Sequence, residues 1–162
     1  MNLLNTYRVV LFGHRDFNGH NKIDEELYPL IKSLIQTKPF VEIYIGRNGE
    51  FDVYAASVIK RVRNATGTES SELICVLPYH ERDIEYYEKY YGTVIIPECV
   101  GQVHPKSAIK KRNRWMVELA DLVICYVEQE SGGAYAALKY AQSLGKKIIN
   151  LAKTKKSELY LE

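Results

Sequence analysis

Short, almost wholly apolar runs alternate with longer amphipathic segments along this chain, and that alternation constrains the fold more than any other feature. Arg8-Val9-Val10-Leu11-Phe12-Gly13 reads as a buried strand, as do residues 41–46, 73–78 and 122–127; residues 93–97 and 147–151 read as shorter strands. Residues 23–36 set Leu27, Leu30, Ile31, Leu34 and Ile35 on one helical face, and residues 51–65 do the same with Phe51, Ala55, Val58, Ile59 and Val62. Residues 81–91, 108–120 and 134–144 complete the helices, the last stopped by Gly145, and residues 98–107 read as a loop. Strands that are apolar on both faces belong to parallel sheets covered by helices on each side. Right-handed crossovers wind such a sheet into an α/β three-layer Rossmann-like sandwich with a mostly parallel central sheet. No repeat, low-complexity tract or linker interrupts the pattern, so residues 1–162 are expected to form a single domain.

Composition narrows the function classes. With 22 Lys and Arg against 20 Asp and Glu, the formal net charge is +2, which argues against a partner held by bulk charge; nucleic acid is read as an unlikely partner. No run approaches the roughly 18 apolar residues of a membrane span, so no membrane partner is expected. Residues 1–8 lack the features of a signal peptide. Cys75, Cys99 and Cys125 have neither the number nor the spacing of a disulfide framework or zinc knuckle, and a cytoplasmic location follows as the expectation. His14, His20, His80 and His104 lack the close spacing of a metal site, so no metal and no cofactor are expected.

Ligands of open parallel sheets occupy the crevice at the carboxyl ends of the strands. Gly13-His14-Arg15-Asp16 follows the first strand; the glycine permits a sharp turn, and His14 with Arg15 forms either a donor pair for the crevice or part of a polar loop. Gly46-Arg47-Asn48-Gly49-Glu50-Phe51-Asp52 leads from the second strand directly into a helix, where two glycines let backbone N–H groups face an anion. This is neither the dinucleotide fingerprint nor a P-loop. Asp52 reads either as a first-turn acid favoured by the helix dipole or as an acceptor for ligand hydroxyls such as those of a ribose. Tyr79 and His80, after the third strand, offer stacking or hydrogen bonding to a base. Ser131-Gly132-Gly133 opens another helix, with Ser131 a candidate N-cap and the two glycines leaving room for phosphate.

The helix over residues 108–120 carries the strongest periodic signal. At about 100° per residue, Arg112 and Asn113 share an arc with Ile109, Met116, Val117, Leu119 and Ala120. A polar pair on a packed face needs partners. Either it bonds a carboxylate or strand-end carbonyls, or it projects into the crevice, where the Arg fork suits phosphate. Much of the excess of 13 Tyr lies in Tyr79, Tyr86, Tyr87, Tyr90 and Tyr91, interleaved with Glu81, Glu85 and Glu88. That is a half-buried face or subunit contact, making a homo-oligomer plausible, and not a basic aromatic platform. Residues 99–105 are placed to act as a lid, and no nucleophile elbow occurs.

Gly13-His14-Arg15, the turn from Gly46 to Asp52, Arg112-Asn113-Arg114-Trp115-Met116 and Ser131-Gly132-Gly133 resemble, in order and spacing, the YpsA-like proteins of the SLOG superfamily. That superfamily groups Rossmann-like domains similar to DprA and to the lonely-guy phosphoribohydrolases. The resemblance runs from Val9 to Leu151 and implies a crevice for a nucleotide or nucleotide-derived ligand. The lonely-guy enzymes carry Pro-Gly-Gly-x-Gly-Thr-x-x-Glu in the second glycine turn; here Tyr135 and Ala136 replace the Gly-Thr pair and Lys139 stands in place of the Glu. Arg47 departs from the more usual Gly-Gly pair of the first turn, where its side chain either narrows the pocket or adds a phosphate donor.

The first expectation is therefore a sensor or accessory protein that binds a nucleotide-derived small molecule. Its contacts would be Gly13, His14, Arg15, Gly46, Arg47, Asn48, Gly49, Asp52, Arg112, Asn113, Ser131, Gly132 and Gly133. On this reading Arg112→Ala weakens nucleotide binding several-fold and leaves the fold intact. The alternative is an N-glycoside hydrolase acting on nucleoside monophosphates, for which Asp52, Glu50, Glu128 and Glu130 are the available carboxylates.

Overall fold

Each apolar run forms a strand: β1 (Thr6–Gly13), β2 (Phe40–Ile45), β3 (Ser71–Val76), β4 (Thr93–Ile95), β5 (Leu122–Tyr126) and β6 (Ile148–Asn150). They lie in the order β4-β3-β2-β1-β5-β6, and every pairing among the described residues is parallel. The computed structural model describes residues 5–101 and 103–154, so most of the expected polar tail, Gln102 of the expected loop and the first four residues lie outside it.

The helices alternate with the strands. After β1 come α1 (His20–Lys22), a π turn (Ile23–Leu27) and α2 (Tyr28–Thr37) in one run, then α3 (Glu50–Thr66), α4 (Ile84–Tyr91), α5 (Pro105–Leu119) and α6 (Gly132–Ser143). The expected loop 98–107 is shorter than its composition implied. Glu98–Val100 form a 3₁₀ turn, and α5 begins at Pro105. Proline suits the first helical turn because its missing N–H would find no partner there. His104 caps the same turn, its Nδ1 accepting from the Lys106 N–H at 3.3 Å.

Alternation along the strands splits the core into two layers. Val9 and Leu11 of β1, Ile43 and Ile45 of β2 and Leu73 and Cys75 of β3 face α2, α3 and α4. Val10 and Phe12, Tyr44, Ile74 and Val76 face the opposite way, against Met116 and Val117 of α5 and Ala137, Leu138 and Ala141 of α6. Cys75 and Cys125 are small core residues, as their runs implied. A side chain such as Leu11, fully buried, contributes about 1.5–3 kcal/mol by leaving water.

The strand order fixes where a crevice opens. The chain winds from β1 outward to β4, then returns to place β5 on the other side of β1. Connections therefore leave β1 and β5 for opposite faces, the arrangement that parts the loops above the strand ends. Registration aligns those ends: Gly13 at the end of β1 lies opposite Tyr126 at the end of β5, and Leu11 lies opposite Ile45 at the end of β2.

Candidate functional site

A cavity of about 350 Å³ opens at this point. The segment after β1 contributes Gly13, His14, Arg15 and Asp16 to its wall, and the turn after β2 contributes Asn48, Gly49 and Asp52. Ser131, Gly132 and Gly133 come from the start of α6, and Arg112 and Asn113 from α5. Gly46 and Arg47, expected as contacts, do not line it. Arg47 turns toward α4, its guanidinium 3.9 Å from the centre of the Tyr87 ring and its Nη1 donating to the Tyr87 hydroxyl at 2.6 Å. Tyr79, His80 and the described residues of the expected lid also lie outside the wall, whereas Phe12, Ile109, Gln129, Ala134 and the carboxylate residue Asp16 belong to it without having been singled out.

Arg112 organises the inner end. It is 3% exposed, and three of its N–H groups donate: Nη1 to the Val76 carbonyl at 2.7 Å, Nη2 to Asn48 Oδ1 at 3.1 Å and Nε to Asn113 Oδ1 at 2.9 Å. Both readings of the helical arc thus meet in one residue, which is tied to a strand-end carbonyl and also borders the cavity. Burial lowers the guanidinium pKa, and the Asp52 carboxylate opposes that shift. An arginine stays charged regardless.

Asp52 sits in the first turn of α3, and its Oδ2 accepts from the Asn48 N–H at 3.2 Å. Burial pushes its carboxyl up to about 6, against the pull of Arg112 and of the Asn48 N–H. Gly46 lets these groups come together. A Cβ added there would lie 2.6 Å from Arg112 Nη1 and 3.1 Å from Asp52 Oδ2.

The other segments are held from the side. His14 lines the cavity and its Nε2 accepts from the Glu128 and Gln129 N–H groups at 2.9 and 3.1 Å, which leaves Nδ1 as the donor of the ring. Arg15 Nε donates to the Asn48 carbonyl at 3.2 Å, and the Arg15 carbonyl accepts from the Glu50 N–H at 2.9 Å. Gly13 serves close packing and not a turn of unusual backbone, for a Cβ there would overlap the buried Phe51 ring.

Ser131 stands at the N-cap of α6, but its hydroxyl makes no capping bond. Gly132 has φ +89°, the left-handed region that favours glycine, and the space around it is open. A Cβ on Gly133 would meet only Asn113 Nδ2, at 4.0 Å. The start of α6, the positive end of a 12-residue helix, therefore borders the cavity with no side-chain cap.

Of the four carboxylates considered for hydrolysis, Asp52 alone lines the cavity. Glu50 accepts from the Phe17 N–H at 3.2 Å, Glu128 accepts from the Tyr126 hydroxyl at 2.8 Å, and Glu130 lies on a separate hollow. Among the described residues, no cluster of three or more His, Cys, Asp or Glu comes together that could hold a metal ion, and no helix is long and apolar enough to cross a membrane.

Sheet order, layering and the crevice beside β1 define a Rossmann-like α/β fold. Solved structures of the same fold include DNA processing protein A (DprA) from Streptococcus pneumoniae, with TM-score 0.66 and 17% identity over 90% of this chain and 50% of that one. DprA from Helicobacter pylori matches with TM-score 0.61 and 17% identity over 94% of this chain and 70% of that one, and TM1055, a structural-genomics target, with TM-score 0.57 and 17% identity over 88% and 72%. This chain thus spans half the length of the pneumococcal protein. At such identities the likeness bears on the fold alone. No protein-family model matches the chain, and no curated protein matches it significantly in sequence.

These neighbours overturn the expectation that nucleic acid is an unlikely partner. The Helicobacter pylori protein is described by its single-stranded DNA binding mode, so a net charge of +2 does not set this fold apart from nucleic acid. Net charge sums over the whole surface, whereas phosphate responds to the few cations near it.

Proposed function

We propose that this protein binds a phosphorylated nucleotide or nucleotide-derived ligand in the strand-end cavity, as a YpsA-like sensor or accessory protein. One observation carries the reading: the open Gly132-Gly133 turn, the buried Arg112 and the Asn48-Gly49 turn border the same cavity of about 350 Å³. The phosphate meets the first N–H groups of α6, where the helix dipole and the missing side-chain cap favour an anion. Asn113 lends its amide from the side, and Arg112 supplies positive charge from beneath. The β2–α3 turn is a poorer phosphate seat, since its Asn48 and Glu50 N–H groups already donate to Asp52 and Arg15. Its polar groups suit the sugar. The DprA neighbours support a nucleic acid chain as one source of such a nucleotide.

Calorimetric titration with nucleoside monophosphates at low salt tests the reading, with mass spectrometry of small molecules co-purifying with the native protein as a companion. Saturable binding that competes with inorganic phosphate is the expected result; no heat with any nucleotide would end the proposal.

A second reading, hydrolysis of a nucleoside monophosphate at its N-glycosidic bond, is favoured by one observation: Asp52 is a buried carboxyl raised to about 6 that lines the cavity. Such an acid is poised for proton transfer near neutral pH. Incubation with AMP followed by chromatography for free adenine decides it, and release at the uncatalysed rate removes it.

A further inference from the structure

A second and larger hollow, of about 560 Å³, runs between α5 and α6 and shares Ile109, Asn113, Gly132 and Gly133 with the strand-end cavity. The two therefore adjoin at Asn113 and the open glycine turn. Lys106, Lys110 and Arg114 line the second hollow from α5 and Lys139 lines it from α6; its lining contains no Asp or Glu. Four cations thus gather beside the site in a chain of net charge +2. Lys106, Lys110 and Arg114 fall at i, i+4 and i+8 of one helix, a spacing at which like charges repel and weaken the helix. Among the described residues, Lys106, Lys110 and Lys139 make no ion pair with a carboxylate. Arg114 lies 4.6 Å from the centre of the Tyr140 ring, and Glu118, the carboxylate nearby, is engaged by the Tyr140 hydroxyl at 3.0 Å. Ala136 and Ala137 contribute small side chains to the α6 wall, which leaves the hollow wide.

We propose that this groove carries the second phosphate of a short single-stranded oligonucleotide whose first nucleotide occupies the strand-end cavity. The inference rests on the reading of that cavity given above and extends it from one nucleotide to a chain. The first phosphate sits at the start of α6, and the sugar-phosphate backbone passes over Asn113. The next phosphate then lies between Lys110 and Lys139, one from each wall. A mononucleotide leaves these cations unused.

Fluorescence anisotropy at low and moderate salt, with thymidine monophosphate, its 5′-phosphorylated dinucleotide and a hexanucleotide competing for a labelled strand, tests the proposal. The wild-type chain is expected to bind the dinucleotide roughly tenfold more tightly than the monophosphate, the gain that one or two exposed charge pairs supply. The double substitution Lys110→Glu with Lys139→Glu, both at exposed positions, should abolish that gain and leave monophosphate binding unchanged. It should also lower the salt slope of hexanucleotide binding by about one per lost phosphate contact. Equal affinity of wild type for monophosphate and dinucleotide overturns the groove and leaves the cavity reading standing, whereas absence of binding to every nucleotide overturns both. A charge-reversal effect seen with thymidine triphosphate but not with the dinucleotide would also overturn it, assigning the groove to a polyphosphate.

Discussion

The two glycine turns look alike as sequence and do different work. In the turn after β2, a Cβ on Gly46 would strike Arg112, and one on Gly49 would lie 2.6 Å from the Arg15 Cα. Those glycines are absent side chains that let neighbouring groups close in, and the N–H groups of Asn48 and Glu50 are already bonded within the protein. In the turn after β5, Gly132 meets nothing within 4 Å and Gly133 almost nothing. The first turn is a closed joint and the second an open seat. Glycine at a strand-to-helix junction signals close approach of something, and only the surroundings say whether that something is the protein or a ligand.

Substitutions can break this contrast, and the largest effect falls at the joint. Arg112→Ala would strip partners from the Val76 carbonyl and Asn48 and leave Asp52 buried without its cation, a loss of about 3 kcal/mol in denaturant unfolding. That revises the expectation of an intact fold; Arg112→Ala with wild-type stability would show the joint to be slack. Gly46→Ala overpacks the same place and should cost about 1–3 kcal/mol by the same measurement.

Asp52 gives the joint a pH dependence of known sign. Its carboxyl is raised from 3.8 to about 6, so the folded chain holds this proton more tightly than the unfolded one. Its contribution to stability is greatest below pH 3.8, falls as pH rises through about 6, and above that leaves the full cost of a buried carboxylate. The span is on the order of 3 kcal/mol, and Asp52→Asn should flatten it. Unfolding midpoints measured across this range check the slope; unchanged curvature in the variant would assign the effect elsewhere.

The smallest change in stability belongs to the seat. Gly133→Ala should leave the fold unharmed or steadier by about 0.5–1 kcal/mol, since alanine favours a helix and its methyl meets open space. The same methyl intrudes where the phosphate is proposed to sit, so nucleotide affinity should drop several-fold in calorimetry. Stability and affinity moving in opposite directions here, and stability falling at Gly46, would sharpen the distinction.

The strands were legible because their residues are apolar whichever face they occupy, as in Val9-Val10-Leu11-Phe12 and Leu122-Val123-Ile124-Cys125. The start of α5 was not, because Pro105 punctuates a loop as readily as it opens a helix. Periodicity put Arg112 on the packed face, but its chief partner, Val76, is 36 residues away at the end of β3. Glu50, Glu128 and Glu130 sit within a few residues of wall residues, yet bonds to Phe17 and Tyr126 hold the first two elsewhere and Glu130 lines a separate hollow. Asp16 was passed over because nothing in the sequence shows which residues of a polar loop face inward. The charge argument failed for a related reason: a whole-chain sum hides four cations gathered on one pair of helices.

Asn150 shows what the open seat rests on. Its side-chain amide accepts from the Val127 N–H and donates to the Val127 carbonyl, both at 3.0 Å, as a neighbouring peptide unit would. On the other flank, the His14 ring grips the next two residues, so the chain leading to Ser131 is braced from both adjacent strands. Freedom is left only at the lip itself. Under the proposed reading, an arriving anion would meet a turn whose shape was settled when the chain folded, with little ordering entropy left to oppose its capture.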